Sequence, residues 1–262
     1  DAGKEEIGAL LKAGQKILCL QKASLILGSG DDPILHNMLA LIRSGSEGLK
    51  KVAALIDHSP DAAIIDIKTV TLLAPLPLPE QIRDFWAFEG HASCGGTEEL
   101  PDEYYQIPLY YKGNRFSAVG HEAAVKWPAY SNVIDYELEL AFVIGQCGKD
   151  IPSERAYEHI FGFMIFNDLS ARDAQMQEMA GPLGPAKGKD FDGGNVFGPC
   201  IVTSDEIPDP YNLEMIARVN GEEWSRGNTK MILHKFEDMI AHVSQSETLY
   251  PGEVFGSGTV TS

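Results

Sequence analysis

The chain has 262 residues, of which 44% are hydrophobic and 23% are charged, an ordinary balance for a globular protein. It carries 38 acidic against 21 basic residues, a formal net charge of −17, which argues against binding to nucleic-acid phosphates. No apolar run approaches the roughly 20 residues that span a bilayer, and the first residues lack the basic start and apolar stretch of a signal peptide. We therefore expect a soluble, cytoplasmic protein with no membrane partner.

Four cysteines are scattered along the chain, without the C-x-x-C spacing of a zinc ribbon or a redox motif: Cys19, Cys94, Cys147 and Cys200. This pattern disfavours a disulfide framework and fits a reducing compartment. Most of the four are expected to pack as small apolar residues.

The first part of the chain, residues 1–71, is predicted to form a small accessory region that is mainly helical. The spacing of apolar residues through 4–26 favours helix over strand. Residues 62–75 are rich in β-branched side chains and predict extended structure, and the Pro-rich run PLPLPE at 75–80 is expected to lead into the main domain. That second domain is predicted to span residues 72–262.

Beyond the Pro-rich run, strand and helix patterns are mixed. Residues 133–145 predict a strand, and the pair Asn220 and Gly221 is a hairpin-turn signal. Residues 153–168 predict a helix that leads into a strand, and residues 231–245 predict a helix. Because these elements do not alternate as in a doubly wound fold, we predict an α+β fold with a large sheet.

Three carboxylates alternate along the strand-like segment DYELEL: Asp135, Glu137 and Glu139. Residues two apart on a strand point to the same face, so the acids are expected on one face and the apolar residues on the other. Two interpretations are open. One is a half-exposed strand with an acidic solvent face; the other is a site for a hard cation, since Mg²⁺, Mn²⁺ and Ca²⁺ prefer oxygen ligands.

Three later segments carry residue types that suit such a site. FNDLSARDAQMQ at 166–177 adds acids, an arginine and a polar amide, and KGKDFD at 187–192 adds a lysine beside an aromatic residue and more acids. LYPGEVFGSGTV at 249–260 has a turn followed by a strand interrupted by glycine, which is typical of backbone that lies close to a ligand. Together these segments favour the cation site.

The order of these motifs resembles the fumarylacetoacetate hydrolase family over roughly residues 72–262. Five motifs carry the resemblance, in this order: DYELEL, NDLSARDAQ, GKDFD with GP at 198–199, VNG, and LYPGEV with GSGT. The resemblance implies a mixed β-sandwich roll with short helices, which pairs as a homodimer. Residues 1–70 carry no part of it.

Metal ligation is the first implication of the resemblance. Glu137 and Glu139 match the two metal-ligating glutamates of the family, and Asp168 matches the third carboxylate ligand. Asp135 precedes the ligand pair and is expected to be a surface or supporting acid. Ligation by oxygen alone favours Mg²⁺ or Mn²⁺ over zinc, with Ca²⁺ as a further candidate.

The resemblance also implies polar groups for the substrate. Lys189 matches a lysine that lies beside the metal and anchors the negative charge of the substrate, so it is predicted to be both catalytic and substrate-binding. Arg172 and Gln175 match residues that orient the substrate or the metal ligands. Thr259 matches a threonine near the substrate carboxylate.

The family places its base, a histidine, in a mobile segment early in the catalytic domain, often in the pattern H-x-x-E. The matching segment is DFWAFEGHASCGG, which makes His91 the candidate catalytic base, with Cys94 where the pattern has glutamate. Alternative carboxylate partners are Glu89, Glu98, Glu99 or an acid from a distant segment. The small and acidic residues that follow are typical of a closing lid. His121 is a rival base and is expected to be structural.

Three functions follow from the resemblance, since the family acts on 2-oxo acids and often on 2,4-dioxo acids. The first is a metal-dependent hydrolase that cleaves a C–C bond in an acylpyruvate or a fumarylacetoacetate-like acid through a metal-stabilised enolate, with His91 activating water. The second is a decarboxylase, hydratase or isomerase of a 2-oxo acid such as oxaloacetate. The third is a non-catalytic relative that binds metal and ligand. A carboxylate partner for His91 would distinguish the first from the second.

Overall fold

The computed structural model describes residues 3, 5–11, 14–181 and 183–261. It divides into two compact units, Asp1–Leu72 and Leu73–Ser262. This division falls beside the boundary that the sequence predicts. That the two parts are separate domains stays a prediction.

Among the described residues, the first unit contains three strands and three α-helices. They are β1 (Gly8–Leu10), β2 (Lys16–Cys19), α1 (Leu20–Ile26), α2 (Met38–Arg43), α3 (Ser46–His58) and β3 (Ile64–Asp66). The strands form an antiparallel sheet in the order β1-β2-β3. Its core is a cluster of buried apolar side chains: Leu18, Leu20, Ala23, Leu35, Leu55 and Ala63.

The prediction of helix through residues 4–26 is wrong for the part before α1. Two strands precede that helix, and Gly14 between them adopts a φ of +66°, a left-handed conformation that glycine takes without strain. β2 pairs with a strand on each side and buries Ile17, Leu18 and Cys19. Short apolar runs fit both helix and strand patterns, so the pairing partners decide between them.

The second unit carries eleven strands and five α-helices among the described residues. The strands are β4 (Ile82–Phe85), β5 (Tyr110–Gly113), β6 (Ala118–Val119), β7 (Ile134–Asp135), β8 (Leu138–Ile144), β9 (Ile160–Asp168), β10 (Ser170–Ala171), β11 (Asn195–Thr203), β12 (Glu214–Val219), β13 (Glu222–Asn228) and β14 (Val254–Gly256). The helices are α4 (Glu89–Ala92), α5 (Asp102–Gln106), α6 (Ser153–Ala156), α7 (Arg172–Met179) and α8 (Phe236–Val243).

Seven of these strands form one mixed sheet in the order β5-β4-β14-β8-β9-β11-β6. β14 runs parallel to β4, and β11 runs parallel to β6, while the other neighbours are antiparallel. Two smaller pairs, β7 with β10 and β12 with β13, complete the strands. The predicted α+β class with a large sheet is confirmed. Within the described part of the chain, no helix has the length and apolar character needed to cross a membrane.

Strand β8 has two buried faces with opposite chemistry. Leu138, Leu140, Phe142 and Ile144 lie in the main apolar core, which also includes side chains of α8. Glu139 lies on the other face and is fully buried. The interpretation as an exposed acidic strand is therefore wrong. The predicted strand is also interrupted, because β7 pairs with β10 instead of joining the main sheet.

We predict that Phe142→Ala lowers the free energy of unfolding by about 3–5 kcal/mol, because it opens a cavity in a fully packed core. The Phe142 ring lies 5.1 Å from that of Phe236 and 5.0 Å from that of Phe255, centroid to centroid. Chemical denaturation measures the change. Phe116→Ala is the control, since Phe116 is 76% exposed; an equal loss in both variants would contradict this location of the core.

Candidate metal centre

Four carboxylates meet at the centre of the large sheet. Asp84 lies in β4, Glu137 lies just before β8, Glu139 lies in β8, and Asp168 is the last residue of β9. One oxygen of each lies within 4.8 Å of the corresponding oxygens of the other three. All four residues are buried, with at most 4% exposure. The structure thus brings together the three acids predicted as ligands and adds Asp84, which the sequence did not indicate.

Strand β14 makes room for this cluster. It lies between β4 and β8, and its Gly256 pairs with Asp84 on one side and Ala141 on the other. A Cβ atom on Gly256 would lie 2.3 Å from Oδ1 of Asp84 and 2.8 Å from Oε2 of Glu139. Only glycine lets the two carboxylates approach each other across this strand. The glycine interruption in the sequence therefore marks a close approach of backbone to the site.

Three carboxylate oxygens of the cluster are buried without a hydrogen-bond donor: Oδ1 of Asp84, Oε1 of Glu139 and Oδ1 of Asp168. Another oxygen of the cluster is already engaged, since Oε2 of Glu139 accepts a hydrogen bond from the backbone N–H of Gly258 at 3.1 Å. Burying a carboxylate oxygen without a hydrogen-bond donor raises the free energy of the folded protein. A divalent cation would supply these oxygens with a partner. The donor set fits a hard divalent cation.

Two basic side chains hold Glu137 in place. Nζ of Lys189 donates to Oε2 of Glu137 at 2.8 Å and also to Oδ2 of Asp168 at 2.6 Å. Nη1 of Arg172 donates to Oε1 of Glu137 at 2.6 Å and to Oε1 of Gln175 at 2.9 Å. Arg172 also donates to Asp135, which is partly exposed and lies outside the cluster. The structure thus gathers Lys189, Arg172 and Gln175 around Glu137.

Burial and charge push the pKa values of the acids apart. Burial, followed by the charge of a neighbouring carboxylate, raises the pKa of Asp84 and of Glu139 well above the usual range. Burial also raises the pKa of Asp168, although Lys189 opposes this. Glu137 is the exception. Burial alone would raise its pKa, but the charge of Lys189 and the contacts with His91 and Arg172 hold the pKa of this carboxyl well below its usual range. Without a cation, the cluster therefore disfavours full ionisation.

His91 lies at the edge of the cluster, in α4. Its Nε2 is 3.5 Å from Oε1 of Glu137, and its side chain is 27% exposed. Glu89, one of the predicted alternative partners, instead accepts a hydrogen bond from the hydroxyl of Tyr105 at 2.8 Å. Cys94 is exposed, as are Glu98 and Glu99. The carboxylate beside the imidazole is therefore a member of the acidic cluster.

The remaining predicted residues lie in different surroundings. Thr259 is 9% exposed, and its hydroxyl is buried without a hydrogen-bond partner, next to the residue whose N–H binds Glu139. His121 lies at the surface, 3.9 Å from exposed Glu122. The catalytic, substrate and metal roles of all these residues stay predictions.

The sequence patterns did not indicate two residues of the site, Asp84 and Tyr111. Asp84 is an acid within the buried strand IRDF, a signal that could have been used. Tyr111 donates its hydroxyl to Oδ2 of Asp168 at 2.6 Å. It lies 57 positions earlier in the chain, and nothing in its local sequence indicates the contact.

Comparison with known proteins identifies the family to which this chain and its fold belong. The model of the fumarylacetoacetate (FAA) hydrolase C-terminal family matches residues 81–262. The chain belongs to the fumarylacetoacetate hydrolase family. The α+β fold expected from the resemblance is confirmed by the fumarylacetoacetate hydrolase from psychrophilic Exiguobacterium antarcticum, which superposes with a TM-score of 0.76 at 28% identity, over 99% of this chain and 84% of that one.

Among curated relatives, the chain is also similar to vertebrate proteins that are named oxaloacetate tautomerases. It is 36% identical over 230 residues to "Oxaloacetate tautomerase FAHD2A, mitochondrial" from Homo sapiens, covering 87% of this chain and 70% of that protein. It is 33% identical over 260 residues to "Oxaloacetate tautomerase fahd2, mitochondrial" from Xenopus laevis, covering 99% of this chain and 76% of that protein. Tautomerases and hydrolases thus both occur among the relatives.

We predict that Gly256→Ala lowers the affinity for Mg²⁺ by roughly tenfold or more, because the new methyl group displaces the carboxylates of Asp84 and Glu139. Isothermal titration of metal-stripped protein measures the affinity, and circular dichroism checks the fold. Gly113→Ala is the control, since its Cβ would lie nearest to the Ile82 side chain, at 3.1 Å, and would meet the Tyr111 ring at 3.7 Å, an ordinary van der Waals distance. Unchanged Mg²⁺ affinity in the Gly256 variant would count against the site.

The raised pKa values of Asp84 and Glu139 give a second prediction for this site. A cation binds the ionised carboxylates, so it competes with their protons. Metal affinity should therefore fall as the pH is lowered, and binding near neutral pH should release protons. Titration in two buffers of different ionisation enthalpy measures the release. Equal apparent enthalpies in both buffers would show that the acids are already ionised before the metal binds.

Proposed function

We propose that the protein is a divalent-metal-dependent enzyme that interconverts the enol and keto forms of a 2-oxo acid, with oxaloacetate as the first candidate. The observation that carries the proposal is the position of His91. Its imidazole lies beside Glu137 of the acidic cluster, 3.5 Å away, while Glu89 is bound to Tyr105. Glu137 is bound by Lys189 and Arg172 and is a proposed metal ligand, so it is not reserved for orienting His91 as a base that activates water. Interconversion of enol and keto forms requires a proton-transfer group but no activated water. The names of the vertebrate relatives support the same choice.

The acidic cluster supplies the metal site in this proposal. Asp84, Glu137, Glu139 and Asp168 would hold the cation, and their three unpartnered oxygens favour this arrangement. When bound, a divalent cation supplies a Lewis acid that polarises the 2-oxo group of the substrate. Mg²⁺ or Mn²⁺ is the cation expected from oxygen-only ligation.

Lys189 is the group that stabilises negative charge on the substrate. Its ammonium is buried, and although burial alone would lower its pKa, the charges of Asp168 and Glu137 raise the pKa above the ordinary value. It therefore stays charged through the reaction. A fixed ammonium beside the developing enolate oxygen lowers the barrier without any reorganisation of solvent. Arg172 keeps Glu137 in position for the same site.

His91 is the group proposed to move the proton. In ketonisation, the enol oxygen loses a proton and C3 gains one, so no atom enters or leaves overall. An imidazolium at His91 would protonate C3, and the proton lost from the enol oxygen would restore it. The partial exposure of His91 lets the proton exchange with solvent between turnovers.

Hydrolysis of a 2,4-dioxo acid is the second candidate. The similarity to the Exiguobacterium antarcticum fumarylacetoacetate hydrolase favours it. It requires His91 to take a proton from water, and Cys94 occupies the position of the glutamate that would assist. Decarboxylation of oxaloacetate and metal binding without turnover are further outcomes of the same assays. The homodimer and the cytoplasmic location stay predictions.

The discriminating experiment follows two reactions of Mg²⁺-loaded protein. Loss of the enol absorbance of oxaloacetate reports tautomerisation, and release of pyruvate from acetylpyruvate or from oxaloacetate reports hydrolysis or decarboxylation. We expect Mg²⁺-dependent acceleration of ketonisation with little pyruvate release. Rapid pyruvate release from acetylpyruvate would overturn the proposal in favour of the hydrolase.

We predict that His91→Ala lowers the rate of ketonisation by about 10²–10⁴-fold, the usual contribution of a general acid–base. Mg²⁺ affinity should change little, because His91 is not among the proposed ligands. His121→Ala is the matched control and should keep full activity. Retention of the wild-type rate after His91→Ala would remove the imidazole from the mechanism.

A further inference from the structure

Tyr111 contacts the acidic cluster through a single hydroxyl, and neither the sequence motifs nor the proposed mechanism gives it a role. The hydroxyl donates to Oδ2 of Asp168 at 2.6 Å. Nζ of Lys189 donates to the same oxygen, also at 2.6 Å. The other oxygen of Asp168, Oδ1, is buried without a partner. One oxygen of this carboxylate thus has two donors and the other has none.

We propose that Tyr111 is a positioning residue for the metal site: it binds Oδ2 of Asp168 and thereby presents Oδ1 to the divalent cation. The inference rests on the proposed metal site. Rotation about the terminal torsion of an aspartate is broad, so nothing intrinsic to Asp168 fixes the plane of its carboxylate. Two short hydrogen bonds to one oxygen fix that plane and leave the other oxygen facing the cluster.

The fold explains why a tyrosine can reach this position. Tyr111 in β5 pairs with Asp84 in β4, so both side chains point to the same face of the sheet. The Tyr111 ring also lies 5.9 Å from Nζ of Lys189, the other hydrogen-bond donor to Asp168. A hydroxyl in this place orients a ligand from outside the coordination sphere, as hydrogen-bonding partners of metal ligands commonly do.

Lys189 alone does not fix the orientation of the Asp168 carboxylate. Its ammonium divides its hydrogen bonds between Asp168 and Glu137. In the proposed reaction the same ammonium also interacts with the substrate, so its bond to Asp168 is one of three interactions that it supplies. Tyr111 has one hydroxyl hydrogen, which it donates to Asp168, so this bond is not shared with another acceptor.

The test compares Tyr111→Phe with wild-type protein by titration of the metal-stripped forms with Mg²⁺ alone. We expect the dissociation constant to rise by roughly 10–100-fold, the range seen when such supporting partners are removed. At saturating Mg²⁺ the kcat for ketonisation should return to near the wild-type value, because all ligands remain. A purely structural role would lower kcat and the melting temperature without moving the Mg²⁺ affinity.

Tyr211→Phe is the matched control. It also removes a tyrosine hydroxyl that donates to a carboxylate, that of Glu237, away from the acidic cluster. It should leave Mg²⁺ affinity unchanged. If Tyr111→Phe does not fold, Tyr111→Leu is used in the same titration. Wild-type Mg²⁺ affinity in a folded Tyr111 variant would overturn the inference.

The same titration separates this inference from the proposed function. Absence of Mg²⁺ binding by wild-type protein would overturn the metal site and the role of Tyr111 together. Wild-type protein that binds Mg²⁺ but does not accelerate ketonisation would overturn only the tautomerase, and the affinity of the Tyr111 variants would still decide the role of the hydroxyl.

Discussion

Repulsion among four buried carboxylates is the constraint on which the rest of this site depends. Asp84, Glu137, Glu139 and Asp168 lie close together in the middle of the sheet, and the basic groups that contact them engage mainly Glu137 and Asp168. Such an arrangement is unfavourable in a protein interior unless the charges are compensated. A divalent cation compensates them and satisfies the unpartnered oxygens. The same requirement explains the glycine in the strand between the acids.

The fold accommodates the buried carboxylates because both faces of strand β8 are buried. The apolar face of β8 packs in the main core with α8, which fixes the strand rigidly, while its other face carries Glu139. Asp84 and Asp168 then come from strands on either side, so three elements hold the cluster at fixed separations. Binding sites on strands are positioned more accurately than sites on loops. His91, in contrast, lies on a short helix beside exposed residues, where a proton-transfer group can exchange with solvent.

The sequence predicted those parts of the site that local patterns encode. The spacing of Glu137 and Glu139 left two interpretations open, and the resemblance of the ordered motifs to the family predicted these two residues and Asp168 as neighbouring ligands, which the structure brings together. The pair Asn220 and Gly221 correctly predicted a hairpin, with φ of 53° and 84° at the turn. Contacts between distant strands were not predictable in this way. Tyr111 reaches Asp168 through strand order, and β1 and β2 became strands because partners were available to pair with them.

The most direct test of the central claim is a calorimetric titration of metal-stripped protein with Mn²⁺, repeated for Glu139→Ala and for Glu122→Ala. Glu139 is fully buried in the cluster, whereas the Glu122 side chain is 86% exposed. We predict one Mn²⁺ per chain for the wild type and for the Glu122 variant, and no measurable binding for the Glu139 variant. Equal binding by all three proteins, or none by the wild type, would contradict the assignment of the acidic cluster as a metal centre.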